Sequence, residues 1–390
     1  MKVLTIFIDM IRANRLSTFN DDIKVDTPLD IAFKELGGTV YSNCYTQGPD
    51  TPRGISSYYT GLEPYKNGCN VRLKWPQYFL KKDLKTVFDL FLEKEYSLDI
   101  FSSTNEKKNG FLPEDISSMD IHNKDNDLSK YLDNLELKDK HFVFLSLPDY
   151  HWAFDDYGYS KNGEKFAYDD VKDSYDIIFD KFDKDEFDHI FVFSDHGFKF
   201  SADFKLDDDL LILDDDRTNS IMLHREKKVN VLTKNTKLCA LTDMYATYQD
   251  LLGETPTGIS LFDKKEHPFL VIEDHLSFAP QINQNIEVWA VVTNEILYIR
   301  KLDKILCIDK HTKVSSKKAI AEYDKILVDH STFSKYMEEY EKIFLYKENI
   351  ILDKSSFMSG KKRKERAGII KRYYIIVDII RKILKKGYLT

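Results

Sequence analysis

The 390-residue sequence predicts an α/β protein with a mostly parallel central sheet that carries helices on both faces. Two observations lead to this prediction. Short, wholly apolar runs are typical of strands buried on both faces, and here they alternate with amphipathic helical patterns. After Gly253 the pattern changes to short strands joined by tight turns, which predicts a small antiparallel sheet. A basic helix is predicted at the C-terminus.

The predicted elements follow one another in a simple order. Strands are predicted at residues 3–9, 98–102, 142–147, 190–194 and 220–223. Helices are predicted near residues 28–36, 52–59, 86–95, 167–182 and 241–252. The C-terminal strands are predicted at 269–272, 288–292, 296–300 and 305–308, with a helix at 331–345. We therefore predict a large α/β domain at 1–262, a small α+β subdomain at 263–350 and a basic tail at 351–390.

The composition excludes several classes of protein. Apolar residues make up 42% of the chain, enough for a large core, and the net charge of −8 argues against a nucleic-acid partner. The four cysteines lack metal-finger spacing, so we expect reduced thiols in a cytoplasmic protein. The apolar start is too short for a signal peptide, and no run of 18 apolar residues predicts a membrane span. The oligomeric state is left open.

The charge is distributed unevenly along the chain. Residues 361–390 contain 11 lysines and arginines against Glu365 and Asp378, so this segment carries +9 and the rest of the chain −17. Its apolar residues recur at spacings of three and four, as in a basic amphipathic helix that binds an anionic membrane surface. A helix packed on the acidic body is the alternative interpretation. A membrane-binding helix would place the protein at the inner face of the cell membrane.

Acidic residues and histidines follow three of the predicted strands. Asp9 ends the first strand, Asp149 and His151 follow the strand at 142–147, and Asp195 and His196 follow the strand at 190–194. Parallel strands deliver their carboxyl ends to one edge of a sheet, where α/β proteins bind their ligands. Either the Asp9 carboxylate or the Asp195-His196 pair could by itself be purely structural. Together they predict a site.

Thr51 begins a predicted helix after the loop Gly48-Pro49-Asp50. Threonine is a common N-cap and Pro52 suits the first turn, so the simplest interpretation is a helix cap. The functional interpretation is a hydroxyl beside the free N–H groups of a helix N-terminus, where a phosphate would bind.

At this loop the sequence resembles the alkaline-phosphatase/sulfatase superfamily, and in particular its sulfatase-like branch. Thr51 stands where that branch has its nucleophile, with Tyr45 six residues before it. Further matches extend the resemblance to roughly residues 2–310: Thr60-Gly61, Leu62-Glu63-Pro64, Gly68, a helix ending in Leu251-Leu252-Gly253, Gly258-Ile259-Ser260-Leu261 and the strand at 287–292.

The resemblance implies a nucleophile and a metal site. Thr51 would be the nucleophile and a metal ligand, together with Asp9, Asp195 and His196. Threonine in place of a formylglycine precursor, and Met10 where sulfatases have a second acid, favour the phosphoglycerol and phosphoethanolamine transferases and lipoteichoic acid synthases. Those enzymes bind one divalent cation. We therefore expect a single Mn²⁺, with Mg²⁺, Zn²⁺ or Ca²⁺ as alternatives, and no second metal.

Three further residues are expected to contact the substrate. By the same resemblance, His151 would bind the phosphate or protonate the leaving oxygen. Arg53 is assigned to substrate binding because it is close to Thr51 in the sequence. Asp149 is assigned to substrate binding as a supporting residue. The leading hypothesis is a phosphotransferase or phosphodiesterase that acts on a glycerophosphate or phosphoethanolamine donor, on lipid- or glycan-linked substrates in surface-glycan modification. The alternatives are a phosphatase or sulfatase, and an inactive, membrane-associated scaffold.

Overall fold

The computed structural model describes residues 1–69, 80, 84–103, 119–122, 128–199, 213–275, 287–301 and 304–310. The basic tail at 361–390 and the helix predicted at 331–345 lie outside this part of the chain. The predicted domain boundaries at 262 and 350 remain predictions. Among the residues described, no helix combines the length and apolarity that crossing a membrane would require.

An eight-stranded sheet forms the centre of the described structure. Its strands lie in the order β5-β4-β6-β1-β7-β8-β2-β9. Their bounds are β1 Lys2–Ile8, β2 Gly38–Tyr41, β4 Ser97–Ser103, β5 Met119–His122, β6 His141–Leu147, β7 His189–Phe193, β8 Met222–Glu226 and β9 Leu232–Asn235. All run in one direction except β8, which is antiparallel to both β7 and β2. The prediction of a mostly parallel sheet is confirmed.

Two smaller sheets accompany the central one. The first is a pair of parallel two-residue strands, β3 Cys44–Tyr45 and β10 Cys239–Ala240. The antiparallel C-terminal sheet contains β11 Leu270–His275, β12 Glu287–Val292, β13 Ile296–Lys301 and β14 Lys304–Asp309. The predicted C-terminal sheet is therefore present, with each strand displaced by no more than a few residues.

Nine α-helices occur in the described residues. They are α1 Pro28–Leu36, α2 Thr51–Thr60, α3 Pro64–Asn67, α4 Val87–Glu93, α5 Leu128–Asp133, α6 Asp149–Tyr157, α7 Lys161–Lys181, α8 Asp215–Thr218 and α9 Asp243–Leu251. Helix α1 begins where its sequence predicts, because Thr27 and Asp30 form a reciprocal capping box before Pro28. Helix α7 begins six residues before the predicted 167, where Ser160 accepts a hydrogen bond from the Gly163 amide.

The core lies on both faces of the central sheet. On β1, Leu4, Ile6 and Ile8 pack on one face with apolar residues of α1, α6 and α7. Val3 and Phe7 pack on the other face with apolar residues of α2, α4 and α9. This alternation is the reason the strands read as continuous apolar runs, since both faces are covered by helices. It confirms helices on both faces.

Candidate active site

The polar residues that follow three strands meet at one edge of the sheet. Strands β6, β1 and β7 are adjacent and parallel, so their carboxyl ends point the same way. Asp9 directly follows β1, His151 lies in the first turn of α6 after β6, and Asp195-His196 follow β7. The Asp9 amide still pairs with the Leu147 carbonyl, 3.1 Å away, so the backbone at this edge is tied to its neighbour.

Asp9, Asp195 and His196 form a cluster that could hold a metal ion. One ligand atom from each residue lies within 4.8 Å of the others. Asp195 is fully buried; its Oδ1 accepts hydrogen bonds from the amides of Met10, at 3.1 Å, and His196, at 2.8 Å. Its Oδ2 is buried without a hydrogen-bond partner in the described structure. A buried carboxylate oxygen lacking a partner is costly, and a cation would supply that partner. The donor set of two carboxylates and an imidazole therefore fits a divalent cation.

Hydrogen bonds at His196 direct one ring nitrogen toward this cluster. The Nδ1–H donates to the Gly197 carbonyl at 2.6 Å, so in the neutral ring Nε2 carries the lone pair. Nε2 lies 3.2 Å from the Thr51 hydroxyl and 3.3 Å from Asp195 Oδ2. A backbone carbonyl that fixes the tautomer in this way is the usual arrangement behind a metal-binding histidine.

The two carboxylates have opposite pKa shifts. Burial raises the pKa of Asp195 to about 6, an effect to which the charge of Asp9 adds and which His196 opposes. Burial also acts to raise the pKa of Asp9, but the charges of His151 and His196 and hydrogen bonds from His151 and Thr51 hold it below its usual value. Asp9 is thus the carboxylate that is ionised first.

Thr51 is the first residue of α2, and it is not the helix cap. The N-cap is Asp50, whose side chain accepts a hydrogen bond from the Arg53 amide. The interpretation of Thr51 as a cap is therefore wrong by one residue, which leaves its hydroxyl available to the site. The Thr51 Oγ1 lies 3.4 Å from Asp9 Oδ1 as well as 3.2 Å from His196. The structure thus brings all four predicted metal ligands together.

His151 lies beside the same group. Its Nδ1 is 2.9 Å from Asp9 Oδ2, and its side chain is 38% exposed, against 9% for His196. The two histidines therefore differ: His196 is enclosed within the cluster, whereas His151 contacts Asp9 from the solvent side. The role of His151 in substrate binding remains a prediction.

A structural comparison places the fold among known proteins. A 2-O GAG sulfatase superposes with a TM-score of 0.66 at 15% identity, over 88% of this chain and 93% of that one. A protein of the alkaline phosphatase superfamily from Vibrio parahaemolyticus gives a TM-score of 0.56 at 15% identity, over 81% of each chain. The phosphonate monoester hydrolase of Agrobacterium radiobacter gives 0.58 at 11% identity, over 88% of this chain and 95% of that one. No family model and no curated protein matches the sequence.

The chain has the alkaline-phosphatase/sulfatase fold. Met10, which the sequence resemblance aligns with the second acid of the sulfatase-like branch, has a backbone φ of 68°. This lies in the left-handed region that a residue with a Cβ rarely adopts, and the Met10 N–H donates to Asp195 Oδ1.

Arg53 departs from its predicted role in the candidate site. Its side chain is fully buried, and its Nη1 lies 2.8 Å from Asp50 Oδ2 and 2.7 Å from Asp274 Oδ1. Residues two apart in a helix do not share a face, so a side chain at 53 points away from that of Thr51. The assignment of Arg53 to substrate binding is corrected accordingly: it joins carboxylates behind the nucleophile. Asp149 opens α6 and is partly exposed, and its supporting role remains a prediction.

Arg217, which sequence reasoning missed, lies between the two loops of the site. The Gly197 amide donates to its carbonyl at 2.9 Å, and its Nη2 donates to the Pro49 carbonyl at 3.3 Å. Its Nε is buried without a hydrogen bond, and it has no carboxylate within ion-pair distance in the described part of the chain. The only sequence signal was a basic residue after Asp214-Asp215-Asp216, a run that reads as a solvated loop. In the structure Asp215 accepts a hydrogen bond from Tyr45 and Asp216 one from Asn14.

Proposed function

We propose that this protein is a metal-dependent enzyme that cleaves phosphoric esters through Thr51. The observation that carries the proposal is the convergence of a hydroxyl, two carboxylates and an imidazole from three separate loops, with Asp195 Oδ2 lacking a partner. A fold needed only for scaffolding would not require a buried carboxylate oxygen that lacks a hydrogen bond, as Asp195 Oδ2 does in the described structure, because such an atom destabilises the native state.

The chemistry starts from a weak nucleophile. A bound divalent cation would lower the pKa of the Thr51 hydroxyl and offset the negative charge of the ester. Asp9, Asp195 and His196 would hold that ion. The Thr51 hydroxyl releases its proton to solvent, and its oxygen attacks phosphorus in line with the leaving oxygen; the bond from phosphorus to that oxygen breaks, and a phosphothreonine forms.

The leaving oxygen needs a proton, which we assign to His151. Its Nδ1 is hydrogen bonded to Asp9, so proton donation would occur from Nε2. Water then attacks the phosphorus of the phosphothreonine, and His151 accepts the proton from that water. The bond from phosphorus to Thr51 Oγ1 breaks, which regenerates Thr51 and releases phosphate or a phosphomonoester. Arg217 beside Pro49 is the cationic side chain that we expect to bind the non-bridging oxygens.

Hydrolysis is the outcome that we favour over transfer. Two of the compared structures are named as a sulfatase and a phosphonate monoester hydrolase, which are hydrolases. The phosphorus ester is preferred over the sulfate because Thr51 stands where the formylglycine precursor is found in sulfatases. The naming of one relative as a GAG sulfatase makes a glycan-linked ester a reasonable substrate class.

Turnover of chromogenic esters tests the proposal directly. The protein, loaded with Mn²⁺ and separately with Mg²⁺, Zn²⁺ or Ca²⁺, would be assayed on p-nitrophenyl phosphate, bis-p-nitrophenyl phosphate and p-nitrophenyl sulfate, with and without glycerol as acceptor. We expect metal-dependent release of p-nitrophenol from a phosphate ester. Thr51→Ala should lose at least about 10³-fold in kcat, and Thr51→Ser should recover part of it.

The other interpretations have distinct outcomes. Accumulation of glyceryl phosphate in place of free phosphate would establish the transferase, and preference for the sulfate ester would establish a sulfatase. Metal-dependent turnover that survives Thr51→Ala would overturn the nucleophile assignment. Absence of turnover on every ester, in a protein that binds the metal, would favour the scaffold.

A further inference from the structure

A buried arginine joins the small C-terminal sheet to the helix that carries Thr51. Arg53, Asp50 and Asp274 are all buried, and the Arg53 guanidinium bonds to both carboxylates at 2.7–2.8 Å. Asp274 lies on β11, 221 residues along the chain from Arg53. An arginine held in this way between two charges fixes the geometry of both, because truncating one partner would leave an uncompensated buried charge.

The guanidinium fixes the residue immediately before the nucleophile. Asp50 is the N-cap of α2, and while Oδ2 binds the Arg53 guanidinium its Oδ1 accepts the Arg53 amide at 3.3 Å. The loop before it packs against the same side chain, since a Cβ on Gly48 would lie 2.5 Å from Arg53 Cδ. The start of α2 is therefore held from inside the protein.

Two neighbouring contacts complete this arrangement. The Glu273 amide on β11 donates to the Gln47 carbonyl at 3.1 Å, so the strand is bonded to the nucleophile loop through its backbone as well. On the other side of α2, a Cβ on Gly54 would lie 2.4 Å from the Asp195 carbonyl oxygen, so the helix lies directly against the loop that carries the metal ligands. The nucleophile helix is thus enclosed between β11 and the Asp195 loop.

We propose that Asp274 is a positioning residue for the nucleophile: acting through Arg53 and Asp50, it sets the position of Thr51 relative to Asp9 and His196. In this proposal the C-terminal sheet contributes to the active site by positioning Thr51, and Asp274 itself does not contact the ester. This inference rests on the proposed function of Thr51. A displacement of about 1 Å in a reacting group can cost about 100-fold in rate, so a modest shift of α2 would be measurable.

A purely structural role is the competing explanation, and a second buried arginine with an aspartate partner provides a control. Arg225 is also fully buried and is paired with Asp185, at the opposite, amino end of β7. The Asp185 side chain is 39% exposed against 4% for Asp274, so melting temperatures are compared beside kcat. Asp274→Asn and Asp185→Asn make the same chemical change to the partner of a buried arginine. Only the first lies behind the nucleophile.

The experiment compares these two variants in the full-length, metal-loaded protein. We expect Asp274→Asn to lower kcat by about 10- to 100-fold with KM within about twofold, because Thr51 moves while the substrate contacts remain. Asp185→Asn should lower the melting temperature without lowering kcat. Asp274→Glu, which keeps the charge, should recover part of the lost kcat. Equal kcat values for the two asparagine variants would overturn the proposal.

A second readout does not depend on turnover. Amide hydrogen exchange in peptides that span residues 48–56 should accelerate in Asp274→Asn and remain unchanged in Asp185→Asn. If the wild type has no activity, the proposed function fails, yet this exchange still reports whether Asp274 holds the start of α2. If Asp274→Asn does not fold, Arg53→Lys, which keeps the charge but loses the planar fork, takes its place, with Arg225→Lys as its control. Unchanged exchange in the folded variant would overturn the proposal.

Discussion

The two ends of β7 both carry buried ionisable residues, but they use them differently. At the amino end, His189 Nδ1 and His224 Nε2 lie 3.0 Å apart, and their rings stack with centroids 5.3 Å apart. At the carboxyl end, Asp195 is fully buried, more so than either histidine, yet its Oδ2 has no hydrogen-bond partner in the described structure. At the amino end of β7, therefore, two polar side chains bind each other. At its carboxyl end, one buried carboxylate oxygen has no hydrogen bond.

The pKa directions make the difference explicit. Burial lowers the pKa of His224 to about 3, which keeps the imidazole neutral, the state that its bond to His189 requires. Burial raises the pKa of Asp195 to about 6, which disfavours the anion that a cation site requires. Ionisation of Asp195 at neutral pH therefore costs free energy in the metal-free protein, and a bound cation would offset that cost. This contrast is a reason to assign the candidate site to the carboxyl end of the sheet.

Asp195→Asn should produce the largest effect. Loss of this ligand should weaken divalent-cation binding by more than about 100-fold, measured by isothermal titration calorimetry. The variant should at the same time stabilise the metal-free fold at pH 8. A carboxyl whose folded pKa is raised destabilises the native state increasingly above its unfolded pKa of 3.8 and fully above about 6.

The expected gain for this variant is about 3 kcal/mol in the free energy of unfolding at pH 8 with a chelator present, from the pKa difference between 3.8 and about 6. The gain should disappear near pH 4. A metal-free variant less stable than the wild type at pH 8 would show that Asp195 is a structural group like those at the amino end.

His151→Gln should lower kcat by about 100-fold without weakening metal binding. The loss should be larger for an alkyl phosphate than for a p-nitrophenyl ester, because a poor leaving group depends more on protonation. His141→Gln is the control: His141 also pairs with an aspartate, Asp99, at 2.6 Å, but at the amino end of β6. Equal losses for both leaving groups would exclude His151 as the acid.

Arg217→Gln should raise KM for a phosphate ester by about tenfold, since a hydrogen bond to a charged group contributes about 1.5–3 kcal/mol. Arg15→Gln is its control, because Arg15 lies nearby on the surface with its charge paired to Asp216. Initial rates over a range of substrate concentrations separate KM from kcat. An unchanged KM in Arg217→Gln would show that Arg217 does not bind the non-bridging oxygens. The metal and the helix N-terminus would then be the groups that bind them.

Of these variants, His224→Phe should have the smallest effect on stability and activity. It changes the histidine pair at the amino end of β7. A histidine whose folded pKa is lowered contributes stability that is complete above its unfolded pKa of about 6.5 and is lost as the pH falls toward 3. At pH 5.5 each such histidine costs about 1.4 kcal/mol. The variant should therefore lose less stability than the wild type between pH 7.5 and 5.5, as measured by urea unfolding, and its kcat should not change.

Much of the architecture was predictable from local patterns. The apolar runs of β1, β6 and β7 and the capping box before α1 are properties of neighbouring residues, so they can be read without the fold. The meeting of Asp9 with Asp195 and His196 was also predictable, because the ends of parallel strands share an edge. The antiparallel direction of β8 was not, since its apolar residues do not encode strand direction. Strand β2, which lies between β8 and β9, and the small parallel pair of β3 with β10 were missed, because such short strands have too few residues to show a pattern.

The sequence by itself determined which residue types lie at the carboxyl edge of the sheet, because local hydrophobicity sets the positions of the strands and parallel strands share that edge. Only the tertiary structure decided what those residues contact. Thr51 lost its role as a cap to Asp50, a shift of one residue that propensity does not resolve. Arg53 was turned inward by Asp274, a partner 221 residues away. Packing of the folded chain determines which residues so far apart in sequence become neighbours. Electrostatic interactions depend on the distance between charges in space, and the separation of two residues along the chain does not predict that distance.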